Sequence, residues 1–370
     1  MTIRYRSAFG SAGILLAAAL AGCTADRPAA ADPTTIVYVS NADSAEISVL
    51  RLDNATGAIT SVDTVVVPGK VMPLTTSRDH RILYASLRSA PYSVAAFGID
   101  SATGKLQPTP IVALPDNMAY LSTDRTGRYL FGASYTGDKI SVNAIDPSGR
   151  ISAEPLQVIA TPPHAHSIVA DPSNHYVFAA VLGADVILQY RFDESTGRLT
   201  PNEPASVATK PGAGPRHLLF HPNGRYVYAT NELDGTVNTY RFDPDHGTLT
   251  LQHSDSVLPP DFAGGAPATS DLHITPDGRY LYVAERTSST IKGFRVADAT
   301  GALTPIGSTP TEAQPRGFAI DPRGRYLIAA GEKSNAITRY TIDPATGTLT
   351  PGTHLDLGRD PNWVEIIDMP

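Results

Sequence analysis

The sequence predicts an all-β fold: one seven-bladed β-propeller of four-stranded blades, its ring closed by N- and C-terminal strands in one split blade. Three observations carry that expectation. A glycine turn recurs about every 48 residues, a hairpin turn recurs between those glycines, and the two counts differ by one. The glycine turns, of the form x-x-Gly-x-Leu/Ile, centre on Gly57, Gly104, Gly149, Gly197, Gly247, Gly301 and Gly347. Four strands in a repeat of about 40–50 residues fit a propeller blade, whereas the rungs of a β-solenoid are much shorter. No segment beyond the first 22 residues holds a sustained helical period.

In chain order, residues 1–22 read as a secretory signal, with Arg4 and Arg6 at its positive start and Ala12 to Leu20 as its apolar core. Nine or so apolar residues make a helix of about 14 Å, too short for about 30 Å of hydrocarbon. Leu20-Ala21-Gly22-Cys23 resembles a bacterial lipobox, in which the cysteine is lipidated and becomes the new N-terminus. Cys23 is the single cysteine, so an intrachain disulfide and a Cys-rich zinc site are both excluded. Residues 23–34 read as a flexible tether and 35–370 as the propeller. The expected location is the cell envelope, exported and lipid-anchored; Thr24, in place of an aspartate, favours the periplasmic or outer-membrane face.

The segment from Ile36–Ser40 through Thr60 supplies outer strands with no inner strand before them. After it, a turn resembling Asp-Pro-x-Gly-Arg-Tyr-Leu/Val-Tyr stands at Asp124–Phe131, Asp171–Phe178, His221–Tyr228, Thr275–Tyr282 and Asp321–Ile328, with a weaker copy at Arg78–Tyr84. Each lies between short runs such as His217–Phe220 and Tyr226–Thr230, and Gly takes the positive φ such hairpin turns need. Tyr240–Asp243 and Leu249–Gln252 show the outer pair of one repeat. Six hairpins against seven glycine turns leave one blade split. Asn362–Ile366 supplies the missing inner strand, and pairing it with the N-terminal segment removes the open edges.

Composition agrees and narrows the function. Hydrophobic residues at 42% and charged residues at 18% fit a soluble globular protein, and 30 Gly with 31 Pro suit a chain of many turns. A net charge of −7 with no long basic run argues against nucleic acid, because phosphate contacts need clustered Lys and Arg.

The first strand of each blade lines the channel, so its first residues converge with the last residues of the second strand. By hairpin arithmetic Arg216 and His217 sit beside Asn231 and Glu232 at one rim. A period of two places His164 with His166, and Asp271 with His273, on shared faces. Glu285 and Arg286 lie across from the latter pair, Arg316 faces Glu332 and Lys333, and Asn362 comes from the closing strand. Arg216 with Glu232, and Arg316 with Glu332, also read as structural ion pairs. No apolar core absorbs such a group unpaired, so the rim as a whole points to a binding site. His164 and His166 lack a third ligand at metal spacing, so no metal and no cofactor is expected. His80, His175, His221, His246, His253 and His354 fall on turns or outer strands and read as solvated.

Gly212-Ala213-Gly214-Pro215-Arg216-His217, Asn231-Glu232-Leu233, Asp271-Leu272-His273-Ile274-Thr275-Pro276-Asp277-Gly278-Arg279, Gln314-Pro315-Arg316-Gly317-Phe318 and Gly331-Glu332-Lys333-Ser334 together resemble the bacterial lactonase family of seven-bladed propellers typified by 6-phosphogluconolactonase. The similarity runs from about Ile36 to Ile366, and the muconate-lactonising propellers are related. The resemblance implies a lactone hydrolase in which His166, Arg216, Glu232 and Arg286 are catalytic. His164, His217, Asn231, Asp271, His273, Glu285, Arg316 and Lys333 would then bind substrate. Lactone opening needs an activated water, oxyanion stabilisation and a proton for the leaving alkoxide. Glu232 as base and His166 as acid, or the reverse, meet the first and last needs. Arg216 and Arg286 meet the second, and Arg316 with Lys333 suits a carboxylate or phosphate. The expected partner is a small-molecule lactone, with membrane contact only through the lipid anchor and the ring acting as a monomer. An exported enzyme would not meet a cytoplasmic phosphosugar, which favours an unphosphorylated sugar or aromatic-degradation lactone. A non-catalytic envelope propeller that binds a ligand or protein is the alternative.

Overall fold

In the computed structural model, which describes residues 34–369, seven antiparallel sheets succeed one another along the chain. The signal, the lipobox and nearly all of the tether lie outside the described residues. Blade 1 combines Pro361–Asp368 as its inner strand with Thr35–Asn41, Glu46–Leu52 and Ile59–Val66. Blades 2 to 7 follow with inner strands Val71–Thr76, Met118–Thr123, Ala165–Ala170, Pro215–Phe220, Thr269–Ile274 and Pro315–Ile320. In blade 2 the outer strand is broken into Leu106–Pro108 and Val112–Ala113. Helix is confined to a single turn at Leu182–Ala184 among the described residues.

The expected closure is present. Val37 opposes Ile366 and Val39 opposes Val364; Thr35 donates to the Asp368 carboxylate and the Met369 amide donates to the Thr34 carbonyl at 2.8 Å. Buried apolar side chains fall into seven clusters, one at each contact between successive blades.

The two repeated motifs meet across those contacts. A tyrosine of the second strand in one blade donates to the carbonyl of the turn glycine in the next: Tyr38 to Gly104 at 2.8 Å, Tyr84 to Gly149 at 2.9 Å, Tyr228 to Gly301 at 2.9 Å and Tyr282 to Gly347 at 2.7 Å. The glycine is required there. Gly104 has φ +74°, and a Cβ on it would lie 2.5 Å from Ile36.

The hairpin turns are closed by their leading residue. Asp124 Oδ1 accepts from the amides of Arg128 and Tyr129 at 2.8 and 2.9 Å, and Asp171 and Asp321 accept from Tyr176 and Tyr326 in the same way. In blade 5 a histidine takes this place, which corrects the reading of His221 as solvated. It is 3% exposed, its Nδ1 accepts from the Asn223 amide, and its Nε2 donates to Gly278 O. An imidazole can substitute for the carboxylate because its unprotonated nitrogen is also an acceptor.

Each of the seven inner strand pairs is irregular at its channel-mouth end. Pro215 opposes Asn231 but Leu218 opposes Ala229, so Arg216 and His217 together face Thr230. The same extra residue occurs in the other blades, at or beside Asn362, Met72, Ala119, His166, Ser270 and Arg316. These β-bulges re-aim consecutive side chains. The second residue of the inner strand turns towards the rim while the third and fifth point down the channel.

Candidate active site

Two registers line one cavity at the rim. The bulged second residues contribute Met72, Ala119, His166, Arg216 and Arg316. The residues just past the end of the second strand contribute Arg88, Tyr135, Glu232 and Arg286. Together they enclose about 260 Å³. The four residues that the resemblance implies to be catalytic are therefore brought together, with Arg316 beside them.

Glu232 is clamped between two guanidinium groups. Arg216 Nε lies 2.8 Å from Oε2, and Arg286 Nη2 lies 2.9 Å from Oε1. Burial alone would raise the Glu232 carboxyl, but Arg216 and Arg286 together hold it below its ordinary value. Arg286 is itself held by the Ala268 carbonyl at 3.0 Å. Arg316 reaches Glu332 only at 3.5 Å. Arg88 donates to the Asn117 side-chain oxygen and has no carboxylate partner among the described residues. Four arginines thus face two carboxylates, and the cavity carries surplus positive charge suited to an anionic group or a developing oxyanion.

His166 is 4% exposed and its Nδ1 has no hydrogen-bond partner among the described residues. Burial first, and then Arg216, His217 and Arg316, push its pKa well below the ordinary imidazole value, so the ring is neutral at pH 7. Tyr135 closes one side, its ring edge-on to His166 at 5.8 Å.

His164 does not share a face with His166. It precedes the strand in the left-handed region, with φ +68°, and stacks on the outer side of Tyr135 at 4.2 Å. The period-two argument failed there because the strand begins only at Ala165 and is bulged at His166. Among the described residues, no three His, Cys, Asp or Glu side chains are grouped to hold a metal ion.

The remaining expected ligands lie elsewhere. His217, Asp271 and His273 line a smaller cavity of about 140 Å³ further down the channel, with Tyr120, Trp363 and Glu365. Asn231 is buried and donates to Thr236 at 2.8 Å. Glu285 accepts from the Ala268 and Thr287 amides at 2.7 and 3.2 Å and clasps its own loop. Lys333 is exposed outside the cavity lining. Sequence reasoning missed Arg88 and Tyr135, although they occupy the same register as Glu232 and Arg286, one residue beyond the second strand.

Residues 34–366 match the family profile described as lactonase, 7-bladed beta-propeller. A 125-residue segment is 44% identical to a 6-phosphogluconolactonase of Serratia proteamaculans, a match spanning 34% of this chain and 38% of that protein. The periplasmic gluconolactonase of Pseudomonas aeruginosa superposes with a TM-score of 0.84 at 28% identity, covering 91% of this chain and all of that one. A Bacteroides fragilis protein, provisionally described as a 6-phosphogluconolactonase, superposes equally well at 27% identity, over 92% of this chain and all of that one. With the profile matched across nearly the whole ring and the charged rim in place, the chain belongs to the lactonase family of seven-bladed β-propellers.

Proposed function

We propose that the rim cavity hydrolyses a sugar-type lactone to its hydroxy acid. The observation that carries this reading is the Glu232 carboxylate held at 2.8 and 2.9 Å by Arg216 and Arg286, beside a neutral His166 with an unpartnered ring nitrogen. The lactone carbonyl oxygen faces the arginines. His166 takes a proton from a water molecule as that water's oxygen bonds to the carbonyl carbon, and the charge developing on the carbonyl oxygen is met by guanidinium donors. The carbonyl re-forms as the ring C–O bond breaks, and His166 returns its proton to the departing alkoxide. Both Glu232 carboxylate oxygens are engaged by arginines, Oε2 by Arg216 and Oε1 by Arg286; its role is to orient the two arginines and the attacking water. An anionic substituent, where the lactone has one, pairs with Arg88 and Arg316.

The exported setting goes with this reading. Cys23 is proposed as the lipidation site, and the Pseudomonas relative is named a periplasmic gluconolactonase. An unphosphorylated aldonolactone is therefore the substrate proposed first. The test is a lactone panel, comprising gluconolactone, its 6-phosphate and muconolactone, followed by proton release against the spontaneous rate. Gluconolactone hydrolysed with the largest kcat/KM supports the reading; spontaneous rates throughout would overturn it.

A further inference from the structure

We propose that His217 and Asp271 are a positioning pair for Arg216: Asp271 fixes the tautomer of His217, and the ring's acceptor nitrogen holds one Nη of the guanidinium so that Nε stays against Glu232. The proposal rests on the reading of the rim cavity as a lactonase site, and it moves both residues out of the substrate-binding set.

The hydrogen bonds leave one arrangement. Arg216 Nη1 lies 3.1 Å from His217 Nε2, and a guanidinium has no acceptor, so Nε2 accepts. The proton is therefore on Nδ1, which donates to Asp271 Oδ1 at 2.8 Å. Arg216 Nη1 also donates to the Ser270 carbonyl at 2.7 Å, which leaves Nη2 for the cavity. Burial and then the neighbouring guanidinium push the imidazole down to about 4, against the pull of Asp271, so the acceptor nitrogen is retained at neutral pH.

Asp271 has no capacity left for a substrate. Oδ1 also accepts from the Leu272 amide at 2.9 Å, and Oδ2 accepts from His273 Nε2 and the Phe318 amide, both at 3.3 Å. Both residues are buried, at 3% and 7% exposure, and both belong to the deeper cavity, whereas Arg216 belongs to the rim. The bulge makes this possible, because it turns Arg216 outward and His217 inward from adjacent positions.

The experiment compares His217→Leu, His217→Gln and Asp271→Asn with wild type, using kcat, KM, Tm and the side-chain 15N resonances of Arg216. His217→Leu is expected to lose about 30-fold in kcat with KM within about threefold, in the 10–100-fold range of supporting residues. His217→Gln, whose carboxamide accepts on one side and donates on the other, is expected to recover to within about fivefold. The Arg216 resonances should move in the Leu variant and return in the Gln variant. A Leu variant with wild-type kcat, or a rise in KM at unchanged kcat, overturns the proposal. A folded Gln variant as slow as the Leu variant does so too. Should His217→Leu fail to fold, Asp271→Asn decides: about tenfold lower kcat with displaced Arg216 resonances supports the pair, and wild-type values overturn it. If wild type hydrolyses no lactone, the functional reading fails, and the Arg216 resonances alone still decide the positioning.

Discussion

The two ends of the inner hairpins obey different rules. At the turn end, each blade solves the same problem, the unpaired amides of a tight turn. Asp124, Asp171 and Asp321 solve it with a carboxylate, His221 with a ring nitrogen and Thr275 with a hydroxyl that accepts from Tyr280. These residues are interchangeable because each offers an acceptor to an amide of its own turn. At the rim end neither register carries the same side chain in two neighbouring blades, and balance is reached only by the group. Glu232 of blade 5 needs Arg286 of blade 6, and Arg216 of blade 5 leans on Ser270 and Asp271 of blade 6 through His217. Repetition marks what holds the ring together, and its interruption marks what the ring holds.

Five substitutions sharpen that contrast. His166→Ala should have the largest effect, lowering kcat by about 10³-fold, and Glu232→Gln should follow at about 10²-fold, both with near-wild-type Tm. Turnover per folded molecule is the measurement; a well-folded variant at wild-type rate would remove that residue from the reaction. Arg216→Lys should cost about 10- to 100-fold, because an ammonium cannot contact Glu232, His217 and Ser270 at once. At the other end the pattern should invert. Asp171→Ala should cost about 1–3 kcal/mol of stability, read by denaturant unfolding, with kcat of the folded fraction unchanged. Glu365→Gln should appear only as a change of slope. Burial raises this channel carboxyl to about 7, against the Trp363 hydrogen bond. Between the ordinary carboxylate value of about 4.3 and 7 the folded state keeps a proton that the unfolded chain has lost, so wild-type stability falls as pH rises through that window. The Gln variant should flatten the fall, and an unchanged pH profile would place Glu365 in water.

The ring, the split blade and the closing strand were legible because they rest on counting repeats and hairpins. The pairing of Arg216 with Glu232 was legible because hairpin register survives a one-residue irregularity at its end. The bulge itself was not, since nothing in Pro215-Arg216-His217 distinguishes an extra residue from a regular one. It is what separates Arg216 from His217 and His166 from His164. Arg88 and Tyr135 were hidden for another reason: Leu87-Arg88-Ser89 and Ser134-Tyr135-Thr136 resemble ordinary loop starts. Their register one step past the second strand identifies them once all seven blades are aligned on the hairpin turn. His221 was misplaced because its position in the turn was read as exposure rather than as the seat of an acceptor.

The seam in blade 1 also bears on how the chain may be cut. Thr34 and Met369 are joined by a hydrogen bond at 2.8 Å, so the two ends of the described ring meet at the seam. A permutation that joins those two ends and opens the chain within residues 259–265, between blades 5 and 6, would move the seam without adding a second. The entropy of closing it would be nearly unchanged, since that cost grows only with the logarithm of the loop. Gene order along a ring of this kind is a choice of starting point, and the arrangement of charges at its mouth is independent of where the chain begins.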